Sequence, residues 1–137
     1  MKMDEKEARE AYFELKMIEE QIKQIQHNLG HIENNIAELE NSISSLDELK
    51  GKSGEETFVP LASGIYAKSK LGDTGKLIVS VGAGIAVEKT TEQTKEIVNK
   101  QLSEIISYRD QMVKGLQLLS SRAEEIEHAV AMTEPKE

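Results

Sequence analysis

The chain has 137 residues, no cysteine and no tryptophan, and 25 acidic against 17 basic side chains give a net charge of −8. This composition excludes disulfides and thiolate metal sites, and the negative balance disfavours nucleic acid, whose phosphates attract clustered Lys and Arg. With 38% hydrophobic but only 4% aromatic residues, the chain suits long solvated helices with a narrow apolar stripe.

We expect neither a secretion signal nor a membrane segment in this sequence. Residues 1–10 lack the apolar stretch of a signal peptide, and no segment approaches the roughly 20 apolar residues of a membrane span. We therefore expect a cytoplasmic protein that does not associate with membranes.

The first segment, residues 4–50, carries an unbroken heptad repeat of apolar residues, spaced alternately three and four apart. This pattern predicts a helix about 70 Å long that supercoils left-handed with a partner helix. Gly30 falls outside the apolar seam, where it weakens the helix without removing packing. The predicted seam residues are Leu15, Ile18, Ile22, Ile25, Leu29, Ile32, Ile36, Leu39, Ile43 and Leu46.

The middle segment, residues 57–89, changes to a period of two, which is typical of strands. Alternation over residues 64–71 and 76–81 predicts two strands, and residues 58–61 and 85–88 predict two shorter ones. Pro60 places the first short strand at a sheet edge or a bulge. Turn sequences at 72–75 and 82–84 complete a pattern that predicts two β-hairpins.

The third segment, residues 91–132, repeats the helical heptad. Thr90 and Gln93 form a capping-box pattern, in which each side chain can bond the other residue's amide. Arg109 is the one charged seam position, and such a cation can fix the register of a coiled coil. Pro135 ends the pattern and leaves residues 133–137 as a tail. The apolar seam residues are Leu102, Ile105, Met112, Leu116, Leu119, Ala123, Ile126 and Val130.

Each helix must bury its seam, and the nearest partner is the other helix of the same chain. An antiparallel hairpin places Leu15 opposite the region of Ile126 and brings both termini to one tip. Four short strands leave exposed edges, which are removed when heads from several chains close into barrels. We therefore predict one mainly α domain: a long antiparallel coiled-coil hairpin with two inserted β-hairpins that assemble into an intersubunit β-barrel. The candidate assembly residues in the head are Phe58, Val59, Leu61, Ile65, Leu71, Leu77, Val79, Val81, Ile85 and Val87.

Two head segments, FVPLASGIYA at 58–67 and LIVSVGAGIAVEK at 77–89, closely resemble the alpha class of prefoldin subunits, in particular archaeal members. The resemblance covers essentially the whole chain, although only the head pieces are specific. It implies a heterohexamer of two alpha and four beta subunits, with a double β-barrel base and six arms. It also implies an ATP-independent holdase without cofactors, which captures unfolded proteins at the arm tips and passes them to a group II chaperonin.

A protein that holds unfolded chains needs exposed apolar surface outside the seam. Large apolar residues near the termini are the candidates for client binding at the tip. An alternative interpretation is that such residues cover the rim of their own coiled coil; we prefer it for Tyr12 and Ala129, whereas both interpretations remain open for Phe13. The client-binding candidates are Met3, Phe13, Met17, Leu118 and Met132.

His27 and His31 have the i, i+4 spacing of helical metal ligands. Asn28 stands where the zinc-protease pattern requires Glu, however, and no third ligand is evident. Both histidines fall on the outer face of the coiled coil, so the spacing alone favours a solvated pair.

No other pattern predicts catalysis. Gly82 and Gly84 resemble part of a dinucleotide-binding loop, but Val87 replaces its third glycine. The acidic pairs at 55–56 and 124–125 have no accompanying nucleophile. We expect no enzyme activity, and the alternative to the chaperone is a coiled-coil scaffold or adaptor in a larger prefoldin-like assembly. A transcript-cleavage factor is disfavoured, because strands occupy the helix–helix connection where its acidic loop would lie.

Overall fold

The computed structural model describes residues 4–132, so Met3 and the predicted tail lie outside it. Two long helices flank four short strands in the order α1 (Glu5–Glu48), β1 (Glu56–Ala62), β2 (Ile65–Lys70), β3 (Lys76–Gly82), β4 (Ile85–Thr90) and α2 (Thr91–Ala131). Two compact units can be distinguished. The terminal unit contains the described residues up to Asn35 and from Ile105 onward, and the head unit contains residues 36–104.

Helix α1 begins with a local cap. The Glu7 amide donates to Asp4 Oδ1 at 2.8 Å, which satisfies one of the free amides at the helix start. Glu5 and Glu7 add negative charge in the first turn, where the helix dipole favours it. The helix ends at Glu48, just before Gly51, whose φ of +73° is typical of residues that follow a helix end.

The core of the terminal unit is a narrow cluster of Ala11, Ile18, Ala123, Ile126 and Val130, against which Leu15, Ile22 and Leu119 pack. This cluster confirms that Leu15 lies beside the region of Ile126. Ala11 was not predicted to be part of the seam. It stands seven residues before Ile18 in the same heptad position, but an alanine gives little hydrophobic signal.

The predicted seam positions are all buried or half-buried. In α1, Ile18, Ile32 and Ile36 are buried, and the other seven seam side chains are half-buried. In α2, the buried seam residues are Ala123, Ile126 and Val130, and the remaining positions are half-buried.

Two arginines in the terminal unit pair with acids on the facing helix. Arg109 lies in the seam, and its Nη1 is 3.7 Å from Glu33 Oε1, so the half-buried cation has an acidic neighbour on α1. Arg122 Nε donates to Glu14 Oε1 at 3.0 Å, and its Nη2 donates to Glu14 Oε2 at 3.3 Å. Donation of these hydrogen bonds to the Glu14 carboxylate is the main cause of a raised pKa at Arg122. Both pairs add polar links between the two helices of the terminal unit.

The strands form two separate antiparallel hairpins, β1–β2 and β3–β4, as the period-two segments predicted. Their registers are the same after a shift of 20 positions: Glu56 pairs with Lys70, and Lys76 pairs with Thr90. Each hairpin also has its irregularity at the equivalent place, between 60 and 62 in the first and between 80 and 82 in the second. The head therefore contains one structural motif twice.

The turns of the two hairpins differ in backbone conformation. In the second hairpin, both turn residues have positive φ, +52° at Ala83 and +73° at Gly84, as a type I′ turn requires. In the first hairpin, Gly64 has a φ of +74°. Alanine pays a steric cost in this left-handed region that glycine does not, so Ala83 is a strained position.

Hydrogen bonds tie the connection between the hairpins to the neighbouring segments of the head unit. The Thr74 amide donates to Ser53 Oγ at 3.0 Å, and Thr91 Oγ1 donates to the Thr74 carbonyl at 2.6 Å. Lys95 Nζ lies 2.6 Å from Asp47 Oδ1, and this hydrogen bond is the main cause of a raised pKa at Lys95. The connection is thus held at Thr74, whose amide and carbonyl each bond a side-chain hydroxyl.

The predicted capping box at the start of α2 is confirmed. The Gln93 amide donates to Thr90 Oγ1 at 3.1 Å, and the Thr90 amide donates to Gln93 Oε1 at 3.0 Å. The two bonds satisfy two amides that would otherwise lack partners at the helix start.

Candidate functional site

Phe13 and Met17 lie together on one outer face of α1. Phe13 is 68% exposed and Met17 is 51% exposed, and the two side chains line one shallow groove. The rest of that groove is polar and consists of Lys16, Glu20, Gln21, Lys23, Gln24 and His27. Because Phe13 and Met17 are one turn apart, they form a continuous apolar patch rather than two isolated side chains.

The other described candidates lie on the α2 side of the terminal unit. Leu118 is 72% exposed and Met132 is 64% exposed. They are 14 residues apart, which corresponds to about 21 Å of helical rise. Leu118 and Met132 therefore do not form one contiguous patch with each other. Met3, the fifth candidate, lies outside the described residues.

Phe13, Met17, Leu118 and Met132 are called the terminal surface below. Of the two residues assigned to the rim, Tyr12 is exposed and Ala129 is half-buried. The sequence prediction missed Tyr108 and Val113, two further exposed apolar residues of α2. Their off-seam positions could have identified them, but they lie farther from the chain termini than the predicted tip residues.

The hairpins expose apolar side chains as well. Among the predicted assembly residues of the head, the exposed ones are Phe58, Val59, Leu61, Ile65, Val81 and Ile85, and the half-buried ones are Leu71, Leu77, Val79 and Val87. Because these apolar side chains are exposed on both hairpins, each hairpin has apolar surface available for contact with another chain.

Two apolar head residues escaped the prediction, Tyr66 and Ile78. Ile78 is 73% exposed and Tyr66 is also exposed. In the register, Tyr66 pairs with Pro60, and Ile78 pairs with Glu88. Successive side chains of a strand point to opposite faces, so Ile78 lies on the opposite face from its neighbours Leu77 and Val79. The alternating pattern predicted one apolar face for this strand. The exposed Ile78 shows that the other face is also apolar in part.

Neither long helix holds a stretch apolar enough to cross a lipid bilayer, within the described residues. In the same part of the chain, no three or more His, Cys, Asp or Glu side chains come together as a metal site. The notable geometry of residues 4–132 is thus exposed apolar surface on a coiled coil and on two hairpins, which can bind other polypeptides.

Known proteins share this arrangement. The family model described as prefoldin subunit matches residues 18–136. The prefoldin subunit alpha of Methanobrevibacter smithii is 37% identical over 75 residues, which is 55% of this chain and 51% of the relative. That of Methanococcoides burtonii is 35% identical over 92 residues, covering 66% of this chain and 67% of the relative. The matched stretches thus span about half to two thirds of these relatives.

A solved structure supports the same fold. The cryo-EM structure of filamentous PFD from Methanocaldococcus jannaschii superposes with a TM-score of 0.72 at 23% identity, covering 82% of this chain and 94% of that chain. The predicted fold class is confirmed in this chain, where two long helices carry two small antiparallel hairpins. The chain belongs to the prefoldin family. Its relatives place it in the alpha class.

Proposed function

We propose that this chain is an ATP-independent holdase subunit, which binds non-native proteins through the terminal surface and keeps them from aggregating. The observation that carries the proposal is the exposure of Phe13 and Met17 in one groove of α1. A contiguous exposed apolar patch often marks a place where another molecule binds, whereas single exposed apolar side chains are common. The polar neighbours in the groove keep the patch small, which disfavours self-association.

The chemistry of this surface suits clients of varied sequence. Methionine has a flexible, polarisable side chain that adapts to irregular apolar partners. The terminal surface contains two methionines in addition to one phenylalanine and one leucine. Each contact is weak by itself. Several chains in one oligomer provide several such surfaces, and simultaneous binding raises the overall affinity without any new contact.

The proposal extends to assembly and location. The two hairpins join beta subunits in a hexamer of two alpha and four beta chains, and the captured client passes to a group II chaperonin in the cytoplasm. The exposed apolar faces of both hairpins support assembly through the head, and the acidic, cysteine-free composition suits a reducing compartment. Neither nucleotide nor a metal is needed for holding a client by apolar contact.

The test is light scattering of a denatured client diluted without ATP into a solution of this chain and a beta-type partner. In the test variant, Phe13, Met17, Leu118 and Met132 are all replaced by Ser. In the matched control, Gln21→Ser and Gln24→Ser change polar positions of the same groove, so apolar area is retained. We expect wild type and control to suppress aggregation and the test variant to lose most of that activity.

The oligomer must be checked by size-exclusion chromatography in each case. If the test variant assembles normally and suppresses aggregation as well as wild type, the terminal surface does not bind clients. If the wild-type complex assembles but does not suppress aggregation of any client, the chain is a scaffold or adaptor subunit instead.

A further inference from the structure

The proposed function assigns no role to the two histidines on the outer face of α1, although His27 lines the same groove as Phe13 and Met17. His27 and His31 are exposed, and their Nε2 atoms lie 3.2 Å apart. Their rings meet edge to face, with centroids separated by 4.7 Å. The sequence spacing of the two histidines favoured a solvated pair. The structure adds that the Nε2 atoms of the two rings face each other at close distance.

This separation matches the chelation of one metal ion. With a metal–nitrogen distance of about 2.0–2.1 Å, two nitrogens 3.2 Å apart subtend an angle of about 100° at the metal. That angle lies between the right angle of an octahedral site and the tetrahedral angle. Both Nε2 atoms can therefore act as ligands to the same ion after a small rotation of the rings.

The protonation chemistry leads to the same site. A hydrogen bond between two Nε2 atoms requires that one ring carries its proton on Nε2 and that the other presents a lone pair there. If the first ring moves its proton to Nδ1, both rings present Nε2 lone pairs to the space between them. A cation then takes the place of the bridging proton, and no third protein ligand is required because exposure leaves room for water.

We propose that His27 and His31 form a two-histidine chelate for a divalent late first-row transition metal such as Zn²⁺ or Ni²⁺, with water completing the coordination shell. Imidazole nitrogen suits these ions, whereas Mg²⁺ and Ca²⁺ require oxygen ligands. Within residues 4–132 no third His, Cys, Asp or Glu side chain joins the pair, and both histidines are exposed, so water supplies the remaining ligands.

The chelate spans a weak point of α1. Gly30 lies between the two histidines in the sequence, and an interior glycine costs about 1 kcal/mol of helix stability relative to alanine. A metal bound to His27 and His31 links consecutive turns on either side of this residue. Metal binding therefore stiffens the helix where its own backbone is least constrained.

The experiment is a calorimetric titration of Zn²⁺ into the untagged full-length chain, in the oligomer that it forms. The test variants are His27→Gln and His31→Gln, and the matched control is His128→Gln, which removes the third histidine of the chain near the end of α2. We expect one zinc site per chain, whose affinity falls by at least about tenfold in each test variant, since loss of even an outer-shell partner costs that much. The control should bind zinc as tightly as wild type.

A second measurement separates chelation from nonspecific binding to the acidic surface. Zn²⁺ should raise the melting temperature of the wild type and of the control, whereas neither test variant should respond. Equal zinc affinity in wild type and His27→Gln would overturn the proposal. So would a melting temperature that Mg²⁺ raises as much as Zn²⁺ does, because an imidazole pair discriminates strongly between these ions.

Discussion

Replacement of Ile126 by Ala is the most stringent test of the packing in the terminal unit. Its side chain is 4% exposed and lies in the cluster formed with Ala11, Ile18, Ala123 and Val130. Replacing a buried Ile by Ala typically costs about 2–5 kcal/mol, of which the transfer of the lost methyl groups is one part and the remaining cavity the other. In this cluster two members are alanines, and no side chain in residues 4–132 is fully enclosed.

The expected cost therefore lies in the lower half of that range. A cavity beside small residues at the surface of a two-helix interface can fill with water or collapse, so we expect Ile126→Ala to lower the free energy of unfolding by about 2–3 kcal/mol. For a chain of this size, the corresponding fall in melting temperature is roughly 6–10 °C. The melting temperatures of wild type and Ile126→Ala can be measured by the loss of helical circular dichroism at 222 nm.

The control is Leu118→Ala on the same helix, where the side chain is 72% exposed. Substitutions at such surface positions usually change stability by less than about 0.5 kcal/mol. Amide hydrogen exchange should show the loss of protection concentrated in residues 4–35 and 105–132. Equal melting temperatures for the two variants would refute the assignment of Ile126 to a buried cluster.

Two further predictions concern the head unit. Ala83→Asn should raise the free energy of unfolding by about 0.5–1 kcal/mol, because asparagine tolerates a positive φ better than alanine and Asn-Gly is the preferred type I′ pair. Ser63→Asn in the first hairpin is the matched control. Chemical denaturation should show a higher free energy of unfolding for Ala83→Asn but not for Ser63→Asn. An unchanged free energy of unfolding in Ala83→Asn would contradict the inference that Ala83 is strained. Thr90→Ala should cost about 1 kcal/mol through loss of the cap of α2, whereas Thr90→Ser keeps the hydroxyl and should remain near wild type in the same assay.

The sequence was sufficient for the features that depend on nearby residues. The capping box at Thr90 and Gln93 is contained within four residues, so its two hydrogen bonds could be predicted in detail. The heptad of α1 was equally clear, since apolar side chains repeat there without interruption. These features required only helix geometry and the tendency of apolar side chains to leave water.

Other features depend on which segments meet in three dimensions. The bond from the Thr74 amide to Ser53 Oγ joins residues 21 positions apart, and no local pattern indicates it. Ala11 belongs to the buried cluster, although alanine is too small to mark a seam. Ile78 shows the same limit for a strand, because alternation identifies a preferred apolar face but does not exclude an apolar side chain on the other.

The terminal surface was predictable only in part for a similar reason. Heptad positions identified Phe13 and Met17 as off-seam residues, and the structure gives them a shared groove. Tyr108 and Val113 were not predicted, since binding residues were expected near the chain termini. Exposure depends on how side chains pack around each position and therefore had to come from the structure.

The repeated hairpin motif has a consequence for how this chain can evolve. Because the two copies share a register, the same place in the motif can be compared between them: Phe58 corresponds to Ile78, and Tyr66 corresponds to Ala86. A substitution in one copy leaves the side chains of the other unchanged. Because the two copies already differ at these places, one polypeptide presents two chemically different surfaces on the same backbone motif.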